Sequence, residues 1–171
     1  MSIISRSGWD SLSEIYPYEF SPNSLEEDLF HYLEKSSNRH DEIKYYYENG
    51  ELETPSSLNE SENEHVEMAV ENTYQNQCYY NTQMVMEDSC LVYVEGYVTS
   101  RECPYPIPHA WLEIDISDGV KIVEVTLDEP SDIYFGVEFC WDIVRDALVA
   151  REKVDPIVEY ILDYSSDSNF S

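Results

Sequence analysis

Gln77-Cys78-Tyr79-Tyr80-Asn81 heads the part of the chain from which the architecture is best inferred. This pentapeptide begins a segment in which apolar residues recur at helical spacing. Three runs rich in β-branched and aromatic residues follow it and are predicted to be strands, at 91–98, 108–114 and 121–126. Since Asp118-Gly119 is a strong two-residue hairpin signal, the second and third strands are expected to pair antiparallel.

Helical spacing and turn residues predict the elements on either side of this centre. They are helices at about 25–36, 41–47, 66–74, 140–151 and 155–162, and a short strand at 134–137. Asp155 and Pro156 supply an N-cap and a first-turn proline for the last helix. Together these elements predict an α+β domain in which N-terminal helices pack on a small antiparallel sheet.

The length of 171 residues suits a single compact unit with a substantial core. Residues 1–64 are predicted to form a helical and irregular N-terminal extension. It ends in an acidic linker, 51–64, which contains almost nothing apolar. The α+β core is predicted over 65–164, and a frayed polar tail over 165–171.

The charge of the chain is strongly one-sided. It has 36 acidic residues against 9 lysines and arginines, a formal net charge of -27. Such a surface repels nucleic acid and anionic membranes, so direct binding to either is not expected. Two hypotheses explain the acidity: adaptation to concentrated salt, which screens self-repulsion, or mimicry of nucleic acid toward a basic partner. The acids are scattered along the whole chain and lysine is scarce, which favours salt adaptation.

Segment composition also indicates where the protein resides. No run approaches the roughly 18–20 apolar residues that a membrane span requires. The first residues lack the charged region and apolar core of a signal peptide. The cysteines are not closely paired, which is typical of a reducing compartment; they are Cys78, Cys90, Cys103 and Cys140. An intracellular, cytoplasmic location is therefore expected.

Three side chains in the centre suggest thiol chemistry. A helix that starts at Cys78 aims unpaired backbone N–H groups at the sulfur, which stabilises a thiolate. An imidazole such as His109 can take the thiol proton and return it to a leaving group. A carboxylate such as Glu124 can then fix the imidazole in one orientation. These residues are therefore the candidate catalytic triad.

The pairing of the two strands decides whether the triad can form. Near-symmetric pairing about Asp118-Gly119 places Glu124 opposite Glu113 or Ile114. Contact with His109 therefore requires an offset register, a longer connection or a strong twist.

Further residues are candidates for the walls of such a site. The backbone N–H of Cys78, with a donor from Gln77 or Gln75, is the candidate oxyanion hole. The candidates for the substrate cleft are Pro108, Trp111 and Tyr97, of which the two aromatic residues are most simply interpreted as core. An alternative zinc site would use Cys90, Cys103 and His109, but the C-x-x-C pair typical of such sites is missing. Neither a metal nor a cofactor is expected.

The order of these motifs resembles the transglutaminase-like branch of the papain-like cysteine hydrolases. The resemblance covers about residues 77–139, and the motifs that carry it are Cys78, Glu95-Gly96-Tyr97, His109-Ala110-Trp111 and Val123-Glu124-Val125-Thr126. The chain is also similar to small uncharacterised viral and prokaryotic proteins with Tyr-Val-Glu-Gly-Tyr, His-Ala-Trp and Tyr-Phe-Gly-Val motifs. A viral or prokaryotic source, in a saline host, is the corresponding hypothesis.

The resemblance implies a papain-like core with Cys78 as nucleophile, His109 as general base and Glu124 as orienting carboxylate. Two departures from the family pattern stand at the third motif. Glutamate replaces the usual aspartate, and Val125 replaces a proline. The implied activity is hydrolysis or acyl transfer on an amide or ester, through an acyl-cysteine intermediate. The alternatives are an inactive site, or a non-enzymatic acidic protein that retains the fold as a nucleic-acid mimic or interaction protein.

Overall fold

The computed structural model describes residues 40–56, 73–86, 91–100, 105–116 and 119–167. In these ranges the chain forms an α+β structure, as predicted. The helices are α1 (His40–Asn49), α2 (Cys78–Met86), α3 (Trp141–Arg151) and α4 (Ile157–Asp167). The strands are β1 (Glu51–Glu53), β2 (Val92–Thr99), β3 (Ile107–Ile116), β4 (Gly119–Val123) and β5 (Ile133–Phe139). The helix predicted at 25–36 and most of that at 66–74 lie outside the described residues.

The strands form one antiparallel sheet in the order β1-β5-β2-β3-β4. Strand β2 lies at its centre, where Glu95 pairs with Ala110 on one side and with Val137 on the other. The antiparallel pairing of β3 with β4, predicted from the turn residues, is confirmed. None of the helices in the described ranges is long and apolar enough to cross a membrane.

Each face of the sheet carries its own buried cluster, because alternate residues of a strand point to opposite faces. The larger cluster joins strand residues such as Tyr93 and Leu112 to apolar residues of α1, α3 and α4. The second cluster lies on the opposite face and consists of Val94, Val98, Trp111, Ile122 and Tyr134. Full burial of one large apolar side chain contributes about 1.5–3 kcal/mol, so both clusters hold the sheet together.

Two glycines face each other at the centre of the sheet, Gly96 on β2 and Gly136 on β5. A Cβ atom on Gly136 would overlap the indole ring of Trp111 and lie 2.7 Å from the carbonyl oxygen of Glu95. A Cβ atom on Gly96 would overlap the backbone of Phe135. The glycine pair therefore makes room for the Trp111 ring directly against the backbone of β5.

Strand β1 corrects one prediction. Glu51–Glu53 falls in the segment expected to be an exposed acidic linker, but it pairs with β5 at the edge of the sheet. The N–H of Gly50 donates to the carbonyl of Tyr46 at 2.7 Å, which closes α1 and returns the chain to the sheet. Leu52 packs against the larger cluster while Glu51 faces solvent. A single apolar residue between two acids is too short a pattern for a strand to be recognised.

The start of α4 is held by a buried carboxylate from the middle of β2. Glu95 is 0% exposed. Its Oε2 accepts hydrogen bonds from the N–H of Ile157 at 2.7 Å and the hydroxyl of Tyr93 at 2.6 Å. Its Oε1 accepts from the N–H of Val158 at 2.6 Å and the hydroxyl of Tyr46 at 3.1 Å. Glu95 therefore ties α4 and α1 to the centre of the sheet.

The two ends of α4 differ from the predictions. Asp155, the expected N-cap, forms ion pairs with Arg151 and Lys153, and Glu95 accepts from the first N–H groups of the helix instead. The helix was expected to end at about Leu162 but continues to Asp167. Residues 165–167, which were expected to belong to a frayed tail, therefore form part of this helix, and the rest of that segment lies outside the described residues.

Candidate active site

The structure brings the three candidate catalytic residues together. Cys78 is the first residue of α2 and is half-buried, and His109 is the third residue of β3 and is 4% exposed. The imidazole Nε2 of His109 lies 2.9 Å from Oε2 of Glu124, the residue that directly follows β4. The Cys78 side chain also acts on this imidazole and raises its pKa. The histidine therefore stands between the thiol and the carboxylate.

The register between β3 and β4 makes this contact possible. Ile116 pairs with Gly119, so the turn lies one residue earlier than the sequence predicts. Moving the turn by one residue shifts the pairing by two, and Glu124 follows β4 in line with Trp111 instead of Glu113. His109 is then the diagonal neighbour of Glu124 on the same face, within reach of a long side chain.

The surroundings of His109 favour the imidazolium form. Burial alone lowers the pKa of a histidine, because it disfavours the charged ring. Here the hydrogen bonds to Cys78 and Glu124, together with the negative charges of these partners, outweigh burial and raise the pKa of His109 from 6.5 to about 9. The ring is therefore able to carry a proton at neutral pH, as a general acid must.

Glu124 is a buried carboxylate with several hydrogen-bond donors, and its side chain is 5% exposed. Oε2 accepts from His109 and from the hydroxyl of Tyr134 at 3.1 Å. Oε1 accepts from the N–H groups of Thr126 at 2.8 Å and Leu127 at 3.0 Å. Burial favours the neutral acid, but the interaction with His109 and these backbone donors lower the pKa of Glu124. The group is therefore ionised at neutral pH and fixed in orientation.

Two aromatic residues complete a closed ring of contacts around the pair. The rings of His109 and Trp111 are stacked, with their centroids 6.4 Å apart and an interplanar angle of 15°. Tyr134 meets Trp111 edge-on at 5.0 Å, and its hydroxyl donates to Glu124. The Trp111 N–H donates to Glu113 at 2.8 Å, which fixes the indole. Sequence reasoning missed Tyr134, because a tyrosine in an apolar strand is indistinguishable from an ordinary core residue.

The oxyanion candidates lie at the entry to α2. The carbonyl of Gln77 accepts the N–H of Asn81 at 2.8 Å, so the helical hydrogen bonds begin here. The first N–H groups of a helix have no intrahelical acceptor, and that of Cys78 is one of them. Asn76 turns the chain with a left-handed φ of 61°. The side chains of Gln75 and Gln77 are exposed.

The cleft candidates are divided between surface and interior. Pro108 is exposed next to His109. Trp111 and Tyr97 are 1% and 4% exposed and belong to the clusters on opposite faces of the sheet. Both aromatic residues are thus core side chains, the simpler of their two interpretations.

The thiols show no sign of a metal site in the part of the chain that the structure covers. No group of three or more metal-binding side chains occurs there. Cys78 and Cys140 are free thiols. Cys90 and Cys103, the two thiols of the alternative zinc site, lie outside the described residues.

Comparisons with protein-family models, curated proteins and solved structures give no match to this chain. The described residues define an α+β protein with a thiol–imidazole–carboxylate cluster at the start of a helix. Its function is therefore inferred from the chemistry of that cluster.

Proposed function

We propose that the protein is a thiol-dependent hydrolase or acyltransferase that acts on an amide or ester through an acyl-Cys78 intermediate. The observation that carries this proposal is the position of His109, whose imidazole lies 2.9 Å from Glu124 and whose pKa is raised by both Cys78 and Glu124. A thiol alone is a weak nucleophile at neutral pH, and an adjacent imidazole held by a carboxylate is what activates it. Cys78 is half-buried rather than enclosed in the core.

The geometry supports a two-step reaction. The Cys78 thiolate attacks the substrate carbonyl, and the backbone N–H of Cys78 stabilises the resulting oxyanion. The His109 imidazolium donates its proton to the departing amine or alcohol, which leaves acyl-Cys78. The neutral imidazole then removes a proton from water or an amine as it attacks the thioester, and the product leaves with the Cys78 thiolate and the His109 imidazolium restored. Glu124 orients the ring and stabilises its charged form throughout.

The order of elements supports assignment to the transglutaminase-like branch of the papain-like enzymes. A helix that starts at Cys78 precedes β2, β3 carries His109, and the end of β4 carries Glu124. The glutamate is longer than the usual aspartate by one methylene, and its carboxylate still reaches the histidine ring. The substitution is therefore compatible with the assigned role.

The acyl-enzyme is the decisive species to detect. With p-nitrophenyl acetate as a neutral, activated ester, we expect a burst of p-nitrophenolate and a mass increase of one acetyl group on Cys78. Cys78→Ser should abolish both signals. The control is Cys140, an exposed thiol at the N-cap of α3 that also precedes a helix. The Cys140→Ser variant should react like the wild type. Acetylation that is lost only in Cys140→Ser contradicts the proposal.

The net charge of -27 favours a second candidate, a non-enzymatic acidic protein that occupies a basic partner in place of nucleic acid. Such a protein binds through many ion pairs, so its affinity for poly-lysine should fall steeply as salt rises. Cys78→Ser should leave that binding intact. Salt-sensitive binding without acylation of Cys78 favours this candidate over the enzyme.

Salt adaptation makes a separate prediction about stability. Because like charges repel most strongly in the compact state, 2 M NaCl should raise the melting temperature by several degrees relative to 0.1 M NaCl. An uncharged osmolyte of equal osmolality is the control, because it does not screen the repulsion between charges. Melting curves that respond equally to salt and osmolyte contradict charge screening as the cause.

A further inference from the structure

Asn81, on the first turn of α2, is buried and bonded on both sides of its amide. It is 2% exposed. Its Nδ2 donates to the carbonyl of Tyr74 at 2.8 Å and to Oγ1 of Thr126 at 2.9 Å. Its Oδ1 accepts the N–H of Tyr74 at 2.9 Å. Both amide hydrogens and the carbonyl oxygen are therefore used.

These hydrogen bonds join two segments that meet at the candidate active site. Tyr74 begins the short segment that leads through Gln77 into the nucleophile. Thr126 lies in the loop after β4, and its own N–H donates to Oε1 of Glu124 at 2.8 Å. A continuous path thus runs from the Asn81 amide through Thr126 to Glu124, and from there to His109.

We propose that Asn81 is a positioning residue that holds the entry to Cys78 and the Glu124 loop in one fixed arrangement. The proposal deepens the function inferred above and rests on it for its catalytic meaning. Only a side chain with two donors and one acceptor can make this set of bonds. Aspartate lacks the donors, and an aliphatic residue would leave the N–H and C=O of Tyr74 without these partners.

The sharpest test removes one bond and little else. Thr126→Val is nearly isosteric, deletes the acceptor for Asn81 Nδ2, and keeps the backbone N–H that donates to Glu124. The matched control is Thr99→Val in β2, since Thr99 is 1% exposed and its hydroxyl has no hydrogen-bond partner among the described residues. Both variants make the same chemical change, at a half-buried position for Thr126 and at a buried one for Thr99, and only Thr126→Val interrupts the path.

The readout is the titration of the His109 imidazole by NMR, with its signal among the 4 histidines assigned by its loss in His109→Ala. A less firmly held Glu124 stabilises the imidazolium less. The titration midpoint of His109 should therefore fall by about 0.5–1 pH unit in Thr126→Val. This shift corresponds to the free energy of one neutral hydrogen bond. Thr99→Val should titrate like the wild type. An unchanged midpoint in folded Thr126→Val overturns the proposal.

Asn81→Ala in a Glu124→Gln background tests the path as a whole. If Asn81 acts through Glu124, its substitution should move the His109 midpoint in the wild type and not in Glu124→Gln. Equal effects in both backgrounds would mean a general loss of stability and would overturn the positioning role. The titration reports on the histidine whether or not Cys78 becomes acylated, so failure of the proposed function and failure of this inference give different results.

Discussion

His109→Ala should slow the alkylation of Cys78 by iodoacetamide at pH 7 by about tenfold or more. The pKa of His109 is raised to about 9, so its ring is positively charged at pH 7 and is placed to stabilise negative charge on the Cys78 sulfur during alkylation. An ordinary thiol is only about 3% thiolate at that pH. Alkylation followed by mass spectrometry of proteolytic peptides gives the rate at each cysteine, and Cys78→Ser assigns the signal.

The exposed Cys140 gives an internal reference, because its alkylation rate should be the same in wild type and His109→Ala. A Cys78 rate that does not respond to His109 contradicts the ion pair and removes the basis for an enzyme.

The interaction of His109 with its neighbours should also make the stability of the protein depend on pH. The pKa of His109 is raised from 6.5 to about 9, so the stabilisation it provides is fully present below about pH 6.5 and is lost as the pH rises through 9. The excess stability of the wild type over His109→Ala should therefore shrink across this window.

Glu95→Gln should lower the free energy of unfolding by about 3 kcal/mol, a large fraction of the stability of a small domain. Four donors converge on this fully buried carboxylate: two tyrosine hydroxyls and the N–H groups of Ile157 and Val158. Glutamine replaces one oxygen by an NH₂ group, which then faces donors instead of accepting from them. The first turn of α4 and the hydroxyl of Tyr46 or Tyr93 would lose their acceptor.

Urea denaturation followed by circular dichroism measures this loss. Glu51→Gln on β1 makes the same chemical change at an exposed position and should alter stability by no more than about 0.5 kcal/mol. Equal stability of the two variants would show that the buried carboxylate contributes nothing beyond an exposed one.

Much of the described fold was predictable, because its elements carry strong local patterns. The strand around His109, the helix at Cys78 and the hairpin to β4 each follow from hydrophobic spacing and turn residues. What local pattern does not contain is the partner of a residue far away in sequence. Glu51–Glu53 becomes a strand because β5 has a free edge, and Glu95 bonds to a helix that begins more than 60 residues later.

The three candidate catalytic residues could be picked out from the sequence, but the contacts that hold them could not. Cys78, His109 and Glu124 stand out by chemical type and by order. The contact between the last two depends on a turn that lies one residue from where the sequence suggests. The bonds from Tyr134 and from the backbone of Thr126 depend on that register as well, and no sequence motif marks them.

The glycine pair has a consequence for how this sequence can vary over evolution. Because the indole of Trp111 occupies the space where a Cβ of Gly136 would stand, neither position can change alone without loss of packing. A side chain at position 136 would also lie 2.7 Å from the backbone carbonyl oxygen of Glu95, so a smaller residue at position 111 would not by itself make room for it. Glycine is therefore expected to persist at position 136 among descendants of this chain, and a smaller residue at position 111 would remove the ring on which His109 stacks.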